Sequence, residues 1–200
     1  MVANNFAVGV VIAGGRSLRF GGEKAVAELD GKSLLSWAAE RLQKSCAAVA
    51  VNARPGTQAE ALARSQGYEV LHDAPGDPDG PLAGVRAGLH WARTRGAIRL
   101  AVSPCDVPLL PDDLFPRLIE AAAAGAAMAE TPEGRQPLCA VWPVSALAVL
   151  DVALAEGAHP PTWRVLDSLG AVHVRFEQAE RFANLNTRAD LEALAASHQR

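Results

Sequence analysis

The chain has 200 residues, half of them hydrophobic, and a formal net charge of -3. This length suits one well-buried domain over residues 1–200 and is short for two. The charge argues against broad nucleic-acid binding. The sequence contains no apolar run of about 18 residues and begins without the pattern of a secretory signal, so we expect a soluble cytoplasmic protein with no membrane partner. The three cysteines, Cys46, Cys105 and Cys139, lack metal-ligand spacing, which argues against a disulfide framework or a zinc knuckle.

Strands and helices alternate along the first half of the chain. Phe6–Ala13 is short, continuously apolar and rich in β-formers, which predicts a buried parallel strand. A loop at 74–81 carries three prolines and two glycines. Around it the pattern predicts these elements: helix Ser33–Ala47, strand Ala48–Asn52, helix Gln58–Ser65, strand Tyr68–His72, helix Leu82–Thr94 and strand Ile98–Ser103.

The second half continues the alternation, with one hairpin. Its predicted elements are helix Asp112–Ala124, strands Ala126–Glu130 and Pro137–Trp142 joined by a turn at 131–136, helices Val144–Ala155 and Thr162–Leu169, an extended segment Ala171–Phe176 and a last helix from Thr187. Asp190, three residues after Thr187, approximates a capping box. The whole pattern predicts the α/β class, as a three-layer α/β/α domain with a mostly parallel, twisted sheet.

A glycine-rich basic loop follows the first strand. Residues 12–24 contain four glycines and three cations: Gly14, Gly15, Gly21, Gly22, Arg16, Arg19 and Lys24. Without a Cβ, Gly14 and Gly15 can take positive φ and let an anion approach the backbone N–H groups. The spacing matches neither a Walker loop nor a dinucleotide fingerprint. The loop therefore predicts a phosphate site of another kind, although a simple chain turn would also use such glycines.

Polar residues stand where predicted strands end. Asn52, Asp73 and Asp106 each follow a strand, as Gly14 does, and ligands of open α/β sheets bind beyond the carboxyl ends of strands. We expect these residues to share one cleft. In such a cleft Asp106 suits a Mg²⁺ ligand, and the alternative is a turn or N-cap aspartate before the next helix. Asp73 can accept from a base or ribose, or be merely solvated.

The loop from Ile12 to Lys24 resembles the Leu-Ala-Gly-Gly-x-Ser-x-Arg-Met-Gly-x-Asp-Lys signature of the molybdenum cofactor guanylyltransferases, which have a Rossmann-like, glycosyltransferase-A-like nucleotidyltransferase fold. Ile12, Phe20 and Glu23 replace Leu, Met and Asp of that signature. Three further matches follow in family order over residues 8–191: Gly80–Gly84, Pro104–Pro108 and Phe182–Leu191.

The resemblance implies Mg²⁺-dependent transfer of GMP from GTP to the phosphate of molybdopterin, with or without bound molybdenum, and release of pyrophosphate. It implies a nucleotide-binding half at about 6–110 with Ile12, Ala13, Gly14, Gly15, Arg19, Lys24, Asn52, Asp73 and Asp106. Among these, Arg19, Lys24 and Asp106 are expected to be catalytic, and Asp106 to bind the metal. An acceptor-binding half at about 111–191 would use Arg135, Asn184 and Asn186, although Gln136 replaces the His of the family pattern.

Several other functions fit parts of the sequence. The nearest is cytidylyl transfer from CTP to the same acceptor; Gly14-Gly15 and the Asn-x-Asn-Thr ending favour GTP. A sugar-1-phosphate nucleotidyltransferase would usually be longer, and a non-catalytic regulator would bind GTP without releasing pyrophosphate. The resemblance also implies protein partners that deliver or receive the cofactor.

Overall fold

In the computed structural model, which describes residues 6–15, 20–155, 157 and 159–198, one sheet lies between two layers of helices. The predicted three-layer α/β/α class is therefore confirmed. The strands are β1 Ala7–Ile12, β2 Glu28–Leu29, β3 Lys32–Ser33, β4 Val49–Asn52, β5 Glu69–Leu71, β6 Arg99–Pro104, β7 Ala127–Thr131, β8 Gly134–Pro143 and β9 Val172–Arg175. The α-helices are α1 Leu34–Gln43, α2 Gln58–Ser65, α3 Pro81–Thr94, α4 Leu114–Ala121, α5 Leu147–Ala155, α6 Thr162–Ser168 and α7 Arg188–His198.

The main sheet has seven strands in the order β5-β4-β1-β6-β8-β7-β9. The first four strands of this order are mutually parallel, β8 is antiparallel to both β6 and β7, and β9 is parallel to β7. Ile12 at the end of β1 is level with Asn52 on one side and Pro104 on the other. The carboxyl ends of β4, β1 and β6 therefore meet at one edge.

Alternate residues of β1 belong to two hydrophobic cores. Val11 is buried with α1, α2 and α4, whereas Val8 and Val10 are buried with α3, α5 and α6. A strand with helices on both faces needs apolar residues on both sides, which explains its continuous apolar run. Gly88 of α3 lies so close to the sheet that a Cβ there would be 2.8 Å from Leu100 Cδ2. The absence of a side chain at Gly88 therefore lets α3 pack closely against the sheet.

A third, smaller cluster holds the end of the chain. Leu29, Leu34 and Leu185 are buried together, with side chains of α7 packed against them. Asp190 accepts hydrogen bonds from the N–H groups of Asn186 and Thr187, both at 2.8 Å, and its own N–H donates to Thr187 Oγ1. The predicted capping box is thus present.

The structure differs from the predicted elements mainly at their ends. The predicted helix Asp112–Ala124 is wrong at both ends, since α4 covers Leu114–Ala121 and a 3₁₀ turn follows. The broad turn predicted at 131–136 is also wrong: Thr131 pairs with Gly134, whose φ of 127° permits a tight connection. The β2–β3 hairpin was not predicted. Across residues 6–15, 20–155 and 159–198, no helix has both the length and the apolar character that crossing a bilayer requires.

Candidate functional site

A cavity of about 500 Å³ lies at the carboxyl edge of the parallel strands. It brings together eight of the nine residues predicted to bind nucleotide: Ile12, Ala13, Gly14, Gly15, Lys24, Asn52, Asp73 and Asp106. The ninth, Arg19, lies outside the described residues. The predicted meeting of these strand ends therefore occurs, and the cavity has polar groups at both ends.

Lys24 connects two separate parts of the chain at one end of the cavity. Its Nζ donates to Asp106 Oδ2 at 3.2 Å and to Asn186 Oδ1 at 3.0 Å. The side chains of Lys24 and Asp106 are 12% and 25% exposed, so this pair is largely shielded from solvent. The N–H of Leu185 donates to the carbonyl oxygen of Asp106 at 2.9 Å, which fixes the segment that carries Asn186. The result is a half-buried cation between an acid and an amide.

Asn52 and Asp73 form the polar pair at the other end. Asn52 is 2% exposed, and its Nδ2 donates to Asp73 Oδ1 at 2.8 Å and to the carbonyl oxygen of Leu71 at 3.3 Å. An ionised carboxylate only accepts hydrogen bonds, so the amide nitrogen must face Asp73. Asn52 thus fixes the orientation of a carboxylate on the cavity wall.

Gly14 and Gly15 lie between the two polar ends. Neither has a positive φ, so the expectation that these glycines adopt positive φ to present their N–H groups is wrong. Their small size matters instead. Apart from its chain neighbours, no described residue would have a heavy atom within 4 Å of a Cβ on Gly15, and a Cβ on Gly14 would be 3.5 Å from Asn52 Oδ1. Their lack of side chains leaves space over the backbone of the loop, and a ligand can approach it there.

The start of α3 forms another wall, with Gly80 and Pro81 on the cavity. Pro81 occupies the first helical position, which its fixed φ favours. Gly80 has a φ of 149°, and a Cβ there would be 1.6 Å from His159 Nε2. His159 therefore lies against Gly80 at the edge of the site. A glycine before a helix-opening proline was the only sequence signal for this close approach.

None of the three residues expected to bind the acceptor lines the cavity: Arg135, Asn184 and Asn186. All three are exposed. Arg135 has its guanidinium 4.8 Å from the centre of the Trp163 ring and one nitrogen 3.4 Å from Asp167 Oδ2. Leu138, which does line the cavity, is three residues along β8 from Arg135, or roughly 10 Å at the usual rise of a strand. Of the three, Asn186 is hydrogen-bonded to a residue of the cavity, Lys24.

Three charged residues on the cavity were missed as site candidates: Glu23, Arg54 and Asp79. Arg54 has a buried Nε without a hydrogen-bond partner in the part of the chain that the structure describes. An unpaired buried donor beside a cavity is rare in folded proteins and calls for an explanation. The sequence signal that could have identified Arg54 as a site residue was its position two residues after Asn52, just past the end of β4. Glu23 is a member of the loop signature, but sequence alone does not show what it contacts.

Cys105 also lines the cavity. Burial, and then the charge of Asp106, raise the pKa of its thiol to about 12. The thiolate is the nucleophilic form, so Cys105 is inert near neutral pH.

Comparison with known proteins gives the family. The profile described as MobA-like NTP transferase domain matches residues 9–173. The chain is 39% identical over 189 residues to a molybdenum cofactor guanylyltransferase of Cereibacter sphaeroides and 36% identical over 187 residues to one of Yersinia pestis, covering 92% of both chains in each case. A solved structure named molybdopterin-guanine dinucleotide biosynthesis protein A, from Archaeoglobus fulgidus, superposes with a TM-score of 0.76 at 26% identity, covering 96% of this chain and 98% of that one.

Proposed function

Because the chain belongs to the MobA-like NTP transferase family and is a nucleotidyltransferase, we propose that it transfers GMP from GTP to the phosphate of molybdopterin and releases pyrophosphate. The named relatives support the choice of nucleotide and acceptor. The observation that carries the proposal for this chain is the cavity itself. It has the Lys24–Asp106–Asn186 cluster at one end and the Asn52–Asp73 pair at the other.

The two ends of the cavity suit the two ends of a nucleotide. β4 and β6 flank β1, so Asn52 and Asp106 follow strand ends that are about 10 Å apart, twice the usual spacing of strands. We assign the base or ribose to the Asn52–Asp73 end, where a carboxylate can accept from guanine N1–H and N2–H. The triphosphate would lie over Gly14 and Gly15 towards Lys24. Arg19, which is outside the described residues, is proposed to bind phosphate as well.

The chemistry needs alignment and neutralisation of charge more than proton transfer. The attacking phosphate is already anionic near neutral pH, so it needs no strong base. Two anions must nevertheless meet at the α-phosphorus, and a fixed cation lowers their repulsion in the transition state. Lys24 is such a cation, held by Asp106 and Asn186 before any ligand arrives.

Mg²⁺ is proposed as the metal, with Asp106 as its protein ligand. No group of three or more His, Cys, Asp or Glu side chains able to hold a metal occurs among the residues that the structure describes. The donor set still fits, because Mg²⁺ typically uses one or two carboxylates together with substrate phosphates. When bound, Mg²⁺ would offset negative charge on the phosphate oxygens.

The acceptor is proposed to occupy the half of the chain at about 111–191. Asn186 accepts a hydrogen bond from Lys24, which lines the cavity. Arg135 and Asn184 would have to meet parts of the acceptor that extend beyond the cavity. Proteins that deliver the cofactor or receive the product are expected partners of this half.

The test is turnover with one molybdopterin acceptor and each of GTP, CTP, ATP and UTP, measured as pyrophosphate release together with the dinucleotide formed. We expect turnover with GTP to exceed that with the other three. A preference for CTP would reject guanylyl transfer and leave the nucleotidyltransferase assignment intact. GTP binding without pyrophosphate release would instead indicate a regulator.

A further inference from the structure

Glu23 binds the beginning of α2, a helix that starts 35 residues later in the chain. Its Oε1 accepts from the N–H of Gln58 at 3.0 Å, and its Oε2 accepts from the N–H of Ala59 at 2.8 Å. The next N–H of the helix, that of Glu60, donates to Thr57 Oγ1 at 3.3 Å. The first three N–H groups of α2 are thus all satisfied, two of them by one carboxylate from the loop. Such charge-assisted bonds at a helix N-terminus are favourable both for their geometry and for the helix dipole.

This contact fixes the backbone from which Lys24 extends. Glu23 is the residue just before a single 3₁₀ turn at Lys24–Val26, in which the carbonyl oxygen of Glu23 accepts from Val26 and that of Lys24 accepts from Ala27. A lysine side chain has four rotatable bonds, so the position of its ammonium group depends on a well-placed Cα. The carboxylate of Glu23 supplies that placement from the side of α2.

The same helix end also holds the opposite wall of the cavity. Thr57 Oγ1 donates to the carbonyl oxygen of Arg54 at 2.6 Å, and Arg54 follows β4 next to the Asn52–Asp73 pair. The beginning of α2 therefore contacts the Lys24 segment through Glu23 and the Arg54 segment through Thr57. The N-terminus of α2 therefore links the segments that carry the two polar ends of the cavity.

We propose that Glu23 is a positioning residue, which sets Lys24 for phosphate transfer by anchoring the loop to α2. This rests on the proposed function, because it takes Lys24 as the cation that faces the triphosphate. It does not require Glu23 to contact substrate. Loss of a residue that orients a functional group commonly costs about 10- to 100-fold in activity.

The main variant is Glu23→Gln, which keeps the size of the side chain, removes its charge and turns one acceptor into a donor that faces an N–H. The matched control is Glu60→Gln. Glu60 is an acid in the first turn of the same helix, and the hydrogen bonds of its side chain within the described part of the chain are with Gly56 and Arg64 rather than with the Lys24 segment. Glu23→Asp keeps the charge on a shorter side chain and should restore part of the loss.

The decisive measurement is a double-mutant cycle of Glu23→Gln with Lys24→Ala, read both as turnover and as the dissociation constant of the nucleotide with Mg²⁺. We expect Glu23→Gln to lower kcat by about 10- to 100-fold in the native background. It should have almost no further effect once Lys24 is removed. Thermal unfolding should change equally for Glu23→Gln and Glu60→Gln.

Two results would overturn the proposal. The first is that Glu23→Gln lowers kcat by the same factor whether Lys24 or alanine is at position 24. The second is that Glu23→Gln lowers kcat no more than Glu60→Gln does. Either would reduce Glu23 to an ordinary helix cap. Failure of the proposed function is seen separately, in the native protein, as absence of turnover with GTP. In that case the cycle is read on the nucleotide that the native protein binds most tightly.

Discussion

The side chain of Asn52 lies directly against Gly84 of α3. A Cβ at position 84 would be 2.4 Å from Asn52 Oδ1 and 2.8 Å from its Cγ. Asn52 in turn holds Asp73 through a hydrogen bond of 2.8 Å. A helix on one face of the sheet thereby determines where a carboxylate of the cavity can lie.

Gly84→Ala is expected to displace Asn52 and to lower nucleotide affinity. The added methyl cannot be accommodated without moving the amide, which is fixed on its other side by Asp73 and Leu71. Overpacking of this kind costs about 1–3 kcal/mol of stability. Isothermal titration with GTP and thermal unfolding measure the two effects.

Gly88→Ala is the matched control for that variant, since a Cβ there would meet Leu100 and Val10 in the core rather than the cavity. It should destabilise the protein to a similar degree while GTP affinity stays near the native value. Equal losses of affinity in the two variants would mean that general loosening of α3 is responsible.

Asp106→Ala is expected to reduce turnover far more than nucleotide binding. Asp106 is the proposed metal ligand and a partner of Lys24, so its loss affects the point at which charge develops in the transition state. Removal of such a group commonly costs ~10² to 10³ in rate. The comparison is kcat against the dissociation constant of GTP at saturating Mg²⁺, and native turnover would refute the assignment.

Local patterns predicted the elements well where the signal itself was local. Helix α2 was predicted at its observed bounds, Gln58–Ser65, from the sequence pattern of that segment alone. The β2–β3 hairpin was missed because two-residue strands are too short to show any periodicity. Asn52, Asp73 and Asp106 were correctly placed at one edge of the sheet, because each was predicted at the end of a strand and the carboxyl ends of parallel strands lie on the same side.

Contacts between segments that are distant in the sequence could not be predicted from local sequence patterns. Asn184 and Asn186 alternate along the chain and both are exposed, yet it is Asn186 that accepts a hydrogen bond from Lys24. The contact of Glu23 with α2 joins residues 35 and 36 positions apart. Neither contact produces a periodic pattern in the sequence, because each depends on how separate elements pack against one another.

Gly15→Ala tests the open space over the loop. A Cβ there would have no heavy atom of the described residues within 4 Å apart from those of its chain neighbours, so the free energy of unfolding should be unchanged. A methyl group would instead narrow the room for a bound nucleotide, and GTP affinity should fall. Competition between GTP and CTP shows whether the larger base suffers more. Unchanged affinity for both would place the nucleotide away from Gly15.

Acidification should weaken the start of α7. The N–H groups of Thr187 and then Asn186 lower the pKa of Asp190 below its usual 3.8. The folded pKa is depressed, so the stabilisation is present above pH 3.8 and is lost as the pH falls through the lowered value. An acid titration of the Thr187 amide by NMR should show a midpoint below 3.8, whereas a midpoint at or above it would contradict the cap.

Arg54→Met is expected to separate stability from binding. The buried Nε of Arg54 has no hydrogen-bond partner among the described residues, so replacing the guanidinium with an apolar side chain of similar length removes a desolvated donor. The free energy of unfolding of the ligand-free protein should stay constant or rise. If the guanidinium binds nucleotide, GTP affinity should fall about 10- to 100-fold, as expected for a lost hydrogen bond to a charged group.

Arg64→Met, on the exposed side of α2 where Arg64 pairs with Glu60, is the control and should leave affinity unchanged. A parallel fall in stability and affinity for Arg54→Met would show that Arg54 supports the fold rather than the ligand.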